Sequence, residues 1–275
     1  MSLIVIYYRK KLGFEGGSRM KHKMQLGLCS VTFRDKSPEE IISLAKQANL
    51  EAIEWGADIH VRPGDIEHAT RLGKLTRKNG LQISSYGSYY KLGNQSDDFL
   101  TVLDTAKELQ APAIRVWAGE KGSNEADAMY RNRIIEDAKR IAAVANAENI
   151  SIHLEFHDNT LTDTAESAKL LMDEIKHPNV FLYWQPPNHV TFEDRLQSID
   201  VVKDFISNVH LFHWHSYEER MALSEGKKAW QAYLTKILQD NKQRFVLIEF
   251  IKGDSTEQFL QDAQTLHELK NALLS

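Results

Sequence analysis

The sequence predicts an α/β protein, a single-domain (β/α)8 barrel of the TIM type spanning residues 24–275. Three observations carry that prediction. Eight short aliphatic or β-branched runs recur at intervals of about 25–38 residues, too far apart for β-hairpins and right for βα units. Amphipathic helical patterns fill the intervals. The length, 275 residues, suits one such barrel, since the fold commonly takes about 250.

The runs are Gln25–Val31, Glu51–Trp55, Leu81–Tyr86, Ala113–Trp117, Ile150–Phe156, Val180–Trp184, Val209–Trp214 and Phe245–Ile251. After the first, Ser37-Pro38-Glu39-Glu40 starts a helix: a serine N-cap, proline at the first helical position and acids at the positive dipole end. Ile41, Ala45 and Ala48 share its apolar face. The same period returns in Ala165, Ala168, Met172 and Ile175, and in Phe259, Ala263, Leu266 and Leu269. Asn79-Gly80 and Asn208 are expected to punctuate helix ends just before strands. The alternative is an open doubly wound sheet, which often carries a Gly-rich phosphate turn after its first strand. Here that strand runs into Ser30-Val31-Thr32-Phe33-Arg34-Asp35, with no such turn.

Hydrophobic residues at 42% exclude wholesale disorder. A net charge of −4 lacks the electrostatic footprint of a nucleic-acid binder. The single cysteine, Cys29, excludes an internal disulfide framework and a cysteine-based zinc site. No stretch approaches the roughly 18–20 apolar residues that span a bilayer. The opening run Leu3–Tyr8 is too short for a secretory core, and its basic residues follow it. Residues 1–23 are expected to lie outside the core fold as an extension or start-site artefact, with Met20 and Met24 as alternative starts, and the protein is expected in the cytoplasm.

Barrel chemistry sits at the C-terminal strand ends. The fifth run reads His153-Leu154-Glu155-Phe156-His157, the sixth ends Tyr183-Trp184-Gln185, the seventh contains Phe212-His213-Trp214-His215 and the eighth Ile248-Glu249-Phe250. Alternation turns Glu155, Gln185, His213 and Glu249 inward. A carboxylate facing the inside of an apolar strand costs several kcal/mol unless it is paired or bound to a cation. Four consecutive strands offering ligand-type side chains at equal depth therefore predict a divalent metal site. Its mixed oxygen and nitrogen donors suit Mn²⁺, Mg²⁺, Co²⁺ or Zn²⁺ without selecting among them.

These residues resemble the xylose-isomerase-like barrel superfamily of sugar isomerases and epimerases, which also holds enzymes of the endonuclease IV type. The resemblance covers roughly Met24 to the C-terminus and implies one divalent metal on Glu155, Gln185, His213 and Glu249, with the two glutamates also moving protons. Gln185 stands where the family usually has Asp, which removes one negative charge and should weaken the ion. His189 follows Gln185 by four residues where the family spaces its substrate histidine by three. Ile53-Glu54-Trp55-Gly56 and Ile114-Arg115-Val116-Trp117 look like the family's second and fourth strands, so Glu54, Arg115 and Trp117 join His157, His189 and His215 as substrate-binding candidates. For His157 and His215 the alternative is orienting Glu155 and His213. For Arg115 it is an ion pair with Glu54 or Glu155, and for Trp117 it is packing at the mouth.

The implied activity is isomerisation or epimerisation of a small sugar or sugar phosphate through an enediolate. The rivals are a dehydratase of the keto-inositol type, an abasic-site endonuclease, opposed by the net charge, and a non-catalytic sugar-binding barrel. Neither nucleic acid nor membrane is expected as a partner, and a homo-oligomer is compatible with the fold.

Overall fold

The computed structural model describes residues 24–94, 98–188, 190–240 and 242–274. The expectation for residues 1–23 therefore lies outside the described residues. Eight parallel strands close into a barrel in sequence order: β1 (Met24–Cys29), β2 (Ala52–Gly56), β3 (Gln82–Lys91), β4 (Ala113–Trp117), β5 (Ser151–Glu155), β6 (Val180–Trp184), β7 (Ile206–Leu211) and β8 (Arg244–Ile248). Closure is made by β8, whose Arg244–Ile248 pairs with Met24–Leu28.

One helix follows each strand: α1 (Pro38–Gln47), α2 (Ile66–Lys78), α3 (Phe99–Leu109), α4 (Ala128–Ala147), α5 (Ala165–Ile175), α6 (Phe192–Val202), α7 (Lys227–Ile237) and α8 (Thr256–Leu274). The capping box at Ser37 is complete. Glu40 N donates to Ser37 Oγ at 3.3 Å, and Ser37 N donates to Glu40 Oε2 at 2.7 Å. The apolar faces read from Ile41, Ala45, Ala48, Ala165, Ala168, Met172, Ile175, Phe259, Ala263, Leu266 and Leu269 are all buried. They form the main core with the outer face of the sheet. Inside the barrel a smaller apolar plug of Cys29, Val31, Tyr183 and Leu247 carries the polar residues of the mouth. Among the described residues no helix is long and apolar enough to cross a membrane.

Two expectations change. Asn208 lies inside β7 and ends no helix. Its Nδ2 donates to Tyr183 Oη at 2.8 Å and its Oδ1 accepts from Phe245 N at 2.9 Å, so the amide replaces part of the ladder. The seventh strand starts at Ile206 and stops at Leu211, three residues before the end of the predicted span. That shift moves which histidine faces inward.

Register shifts occur between β2 and β3, between β3 and β4, and between β6 and β7. Bulges of this kind re-aim side chains at a barrel rim. The bulged end of β3 holds Tyr89 at φ 57°, and Phe250, just past β8, also has φ 57°. Left-handed backbone at a bulky residue is strained and persists where its surroundings enforce it. Both rings line the same cavity.

Candidate active site

At the C-terminal mouth lies a cavity of about 370 Å³. Its floor is Arg115, Glu155, Gln185 and Glu249. Its aromatic walls are Tyr89, Trp117, His157, Trp214, Tyr217 and Phe250, with Arg34, Asp158, Asn159 and Asn188 at the rim. Asn188 Nδ2 donates to Asp158 Oδ2 at 2.8 Å, and Trp214 Nε1 donates to Asn188 Oδ1 at 3.1 Å. These two bonds tie together the loops after β5, β6 and β7. Trp214 in turn stacks on Phe250, with ring planes 25° apart.

His210 lies beneath the floor, at the centre of its polar groups. It lies on the inward face of β7 and is fully buried. Three oxygens surround its Nδ1: Gln185 Oε1 at 3.0 Å, Glu249 Oε2 at 3.3 Å and Glu155 Oε1 at 3.5 Å. Its Nε2 is 3.5 Å from Glu54 Oε1 and makes no hydrogen bond. Burial alone would push the imidazolium pKa down, but Cys29 and the carboxylates of Glu249 and Glu54 together outweigh it and hold it well above the ordinary value.

The structure thus brings Glu155, Gln185 and Glu249 together as expected, with His210 in place of His213. His213 lies past the end of β7, half-buried, with its ring against Gly226. A Cβ there would stand 2.5 Å from His213 Nδ1. Burial lowers the His213 pKa. His215 is exposed in the short hairpin that follows, and neither His213 nor His215 lines the cavity. His189 lies outside the described residues.

Arg115 takes the ion-pair alternative. Its Nε donates to Glu54 Oε1 at 2.8 Å and its Nη1 to Glu155 Oε2. Burial raises a carboxyl pKa, yet Arg115 and His210 together more than offset it. Glu155 is held down at about 2, and Glu54 is also held well below the carboxylate range. Trp117 Nε1 donates to the same Glu155 Oε2 at 2.6 Å. Glu54 is buried beneath the guanidinium and takes no part in lining the cavity. A relay holds it there: Asn208 Nδ2 donates to Tyr183 Oη, Tyr183 Oη to Ser85 Oγ at 2.8 Å, and Ser85 Oγ to Glu54 Oε2 at 2.6 Å. His157 stacks on Trp117 with centroids 4.5 Å apart. Its Nδ1 lies 2.7 Å from the Asp158 carbonyl, so Nδ1 carries the hydrogen and Nε2 is the reactive nitrogen.

This donor set fits a divalent cation. Three buried carboxylates, those of Glu54, Glu155 and Glu249, face one buried guanidinium, which leaves two negative charges uncompensated once His210 is neutral. A dication closes that balance, and the convergence of three oxygens on one imidazole nitrogen supplies its ligands. The proton held on His210 would leave as the ion binds.

His210, Cys29, Arg34 and Asn188 were not singled out from the sequence. For His210 a signal existed. Asn208 and His210 alternate with the apolar Val209 and Leu211, and sending that apolar pair to the helices turns His210 inward.

The model of the xylose isomerase-like TIM barrel family matches residues 42–269. A 3-dehydroshikimate dehydratase of Bacillus anthracis is 29% identical over 168 residues, covering 57% of this chain and 60% of that protein's length. The crystal structure of the probable 3-DHS dehydratase AsbF, involved in petrobactin synthesis in Bacillus anthracis, superimposes with a TM-score of 0.75 at 21% identity, covering 89% of this chain and 99% of that one. D-psicose 3-epimerase of Clostridium cellulolyticum H10, solved with D-tagatose, gives a TM-score of 0.69 at 15% identity over 92% of this chain and 100% of its own. Likeness at these identities shows the fold, and the family match covers most of the chain. The chain belongs to the xylose isomerase-like TIM barrel family.

Proposed function

We propose that the chain is a divalent-metal-dependent dehydratase that removes water from a small cyclic β-hydroxy ketone bearing a carboxylate, a substrate of the 3-dehydroshikimate kind. The observation that carries this reading is the unequal treatment of the two glutamates. Glu155 is pinned by Arg115 and Trp117 and held at about 2, which makes it a good cation ligand and a poor proton acceptor. Among the described residues the Glu249 carboxylate, which lines the cavity, is paired with His210 Nδ1 at 3.3 Å and with no arginine or tryptophan. One competent base suits an elimination, whereas an epimerase needs two groups that exchange protons from opposite faces. The similarity to a 3-dehydroshikimate dehydratase supports the same choice.

Glu155, Gln185, His210 and Glu249 would hold the cation, which when bound polarises the ketone and stabilises negative charge on its oxygen. Glu249 accepts the proton from the carbon next to the carbonyl. With His157 entering as the imidazolium, its Nε2–H delivers a proton to the departing β-hydroxyl, a carbon–carbon double bond forms, and water departs. Each positioned proton transfer contributes about 10²–10⁴-fold. Arg34, paired with Asp58 at the rim, is the cation that a substrate carboxylate meets first. Trp117, Trp214 and Phe250 supply flat walls for a ring.

The isomerase or epimerase reading keeps one observation in its favour: oxygens of both Glu155 and Glu249 reach the same His210 nitrogen. Product mass separates the two. With Mn²⁺ and 3-dehydroshikimate the product should be lighter by one water, and Glu249→Gln should abolish it. Deuterium uptake from D₂O into ketoses, with no loss of water from any substrate, would establish the epimerase instead.

A further inference from the structure

The geometry points to Cys29 as a sulfur donor to the cation site, one that makes the site prefer thiophilic dications such as cadmium and zinc over magnesium and manganese. This rests on the reading that the site holds a dication. Cys29 is the last residue of β1, fully buried, and paired in register with Glu54. Its Sγ, a His210 ring nitrogen and a Glu249 carboxylate oxygen lie within 4.8 Å of one another. Two donors on one tetrahedral ion stand about 3.5–4 Å apart, so shifts of about an ångström bring all three onto it.

A buried cysteine is usually a small hydrophobe, and Cys29 does touch Val31, Tyr183 and Leu247. Two features exceed that role. Sγ faces Glu54 Oε1 at 3.8 Å, and the neighbouring His210 has a ring nitrogen with no hydrogen-bond partner although the residue is wholly enclosed. That nitrogen, Nε2, stands 3.5 Å from Glu54 Oε1, so a buried thiol and a buried imidazole nitrogen face the same carboxylate oxygen and Nε2 makes no hydrogen bond.

Selectivity follows from the charge. Coordination by Cys29 releases the thiol proton to solvent and adds one negative charge to a cluster that a dication has already neutralised. A soft cation offsets that through its bond to sulfur. A hard cation gains too little, so with Mg²⁺ or Mn²⁺ the thiol keeps its proton and the oxygen and nitrogen ligands act alone.

One cysteine cannot build a cysteine-based zinc site but can add one sulfur to a mixed donor set, and as Cys29 is the single cysteine of the chain any sulfur signature belongs to it. The full chain is titrated with Cd²⁺ and, separately, with Mn²⁺. Cadmium should produce a sulfur-to-metal charge-transfer absorption and a cadmium NMR resonance in the sulfur-ligated range. In Cys29→Ser the absorption should vanish and Cd²⁺ affinity fall at least about tenfold, while Mn²⁺ affinity changes less than about twofold. The wild-type resonance decides the matter by itself if the variant does not fold. A resonance in the oxygen and nitrogen range, unchanged Cd²⁺ affinity in Cys29→Ser, or failure of Cd²⁺ to bind where Mn²⁺ does would overturn the sulfur donor and leave the dehydratase reading intact. Failure of every dication to bind would overturn that reading itself.

Discussion

Arg115 occupies the space that a side chain at Gly87 would need. A Cβ at position 87 would stand 2.7 Å from Arg115 Nη2 and 3.0 Å from Glu54 Oε1. The guanidinium has nowhere else to go, because its two carboxylate partners lie on β2 and β5 and it is itself fully buried. Gly87→Ala should therefore displace the ion pair. Overpacking of this kind costs about 1–3 kcal/mol. The denaturant midpoint should drop accordingly, and an unchanged midpoint would show that Arg115 can yield.

Removing the guanidinium has a larger effect than crowding it. Arg115→Met leaves Glu54 and Glu155 as buried charges without their guanidinium, a loss of about 3–5 kcal/mol in the metal-free protein. Glu54→Gln added to it should restore part of that loss, because one orphaned charge is gone. The two changes should be non-additive by about 1 kcal/mol or more in a double-mutant cycle. Additive effects would mean that the Glu54–Arg115 pair does not couple.

A histidine away from the cation site sets an acid limit to stability. His60 is buried with Nδ1 3.0 Å from Ser30 Oγ and Nε2 3.2 Å from the Lys36 carbonyl, so the neutral ring satisfies both. Burial lowers its folded pKa below the ordinary value of about 6.5. Below that ordinary value the unfolded chain takes up a proton that the folded chain refuses, so stability is fully present above it and is lost as pH falls. The loss approaches about 1.4 kcal/mol per pH unit in that window. His60→Gln should flatten the pH dependence of unfolding between neutral pH and the folded pKa. A wild-type slope in the variant would show that His60 does not set the limit.

The barrel was legible because its signals are periodic and local. Aliphatic runs spaced for βα units and capped helices such as Ser37–Glu40 need no knowledge of tertiary contacts. The ligands Glu155, Gln185 and Glu249 were legible for a related reason: a polar side chain at the end of an apolar strand carries a desolvation penalty that a partner or a cation must offset. His213 was preferred to His210 because the Phe212–Trp214 stretch looks like strand, although the chain leaves the sheet at Leu211 and Asn208 hides inside it. Strand limits depend on ladder pairing with neighbours, here β6 and β8, which one sequence does not display. Cys29 and Glu54 gain their meaning from closure of the barrel, which brings β1 and β2 beside the His210 ring.

The relation of His210 to its three oxygen neighbours is most directly tested by equilibrium dialysis with metal analysis. Wild-type protein and His213→Asn should each bind one Mn²⁺ per chain with equal affinity, and His210→Asn should bind at least about a hundredfold more weakly. Full binding by His210→Asn, or loss of the ion in His213→Asn, would contradict the site.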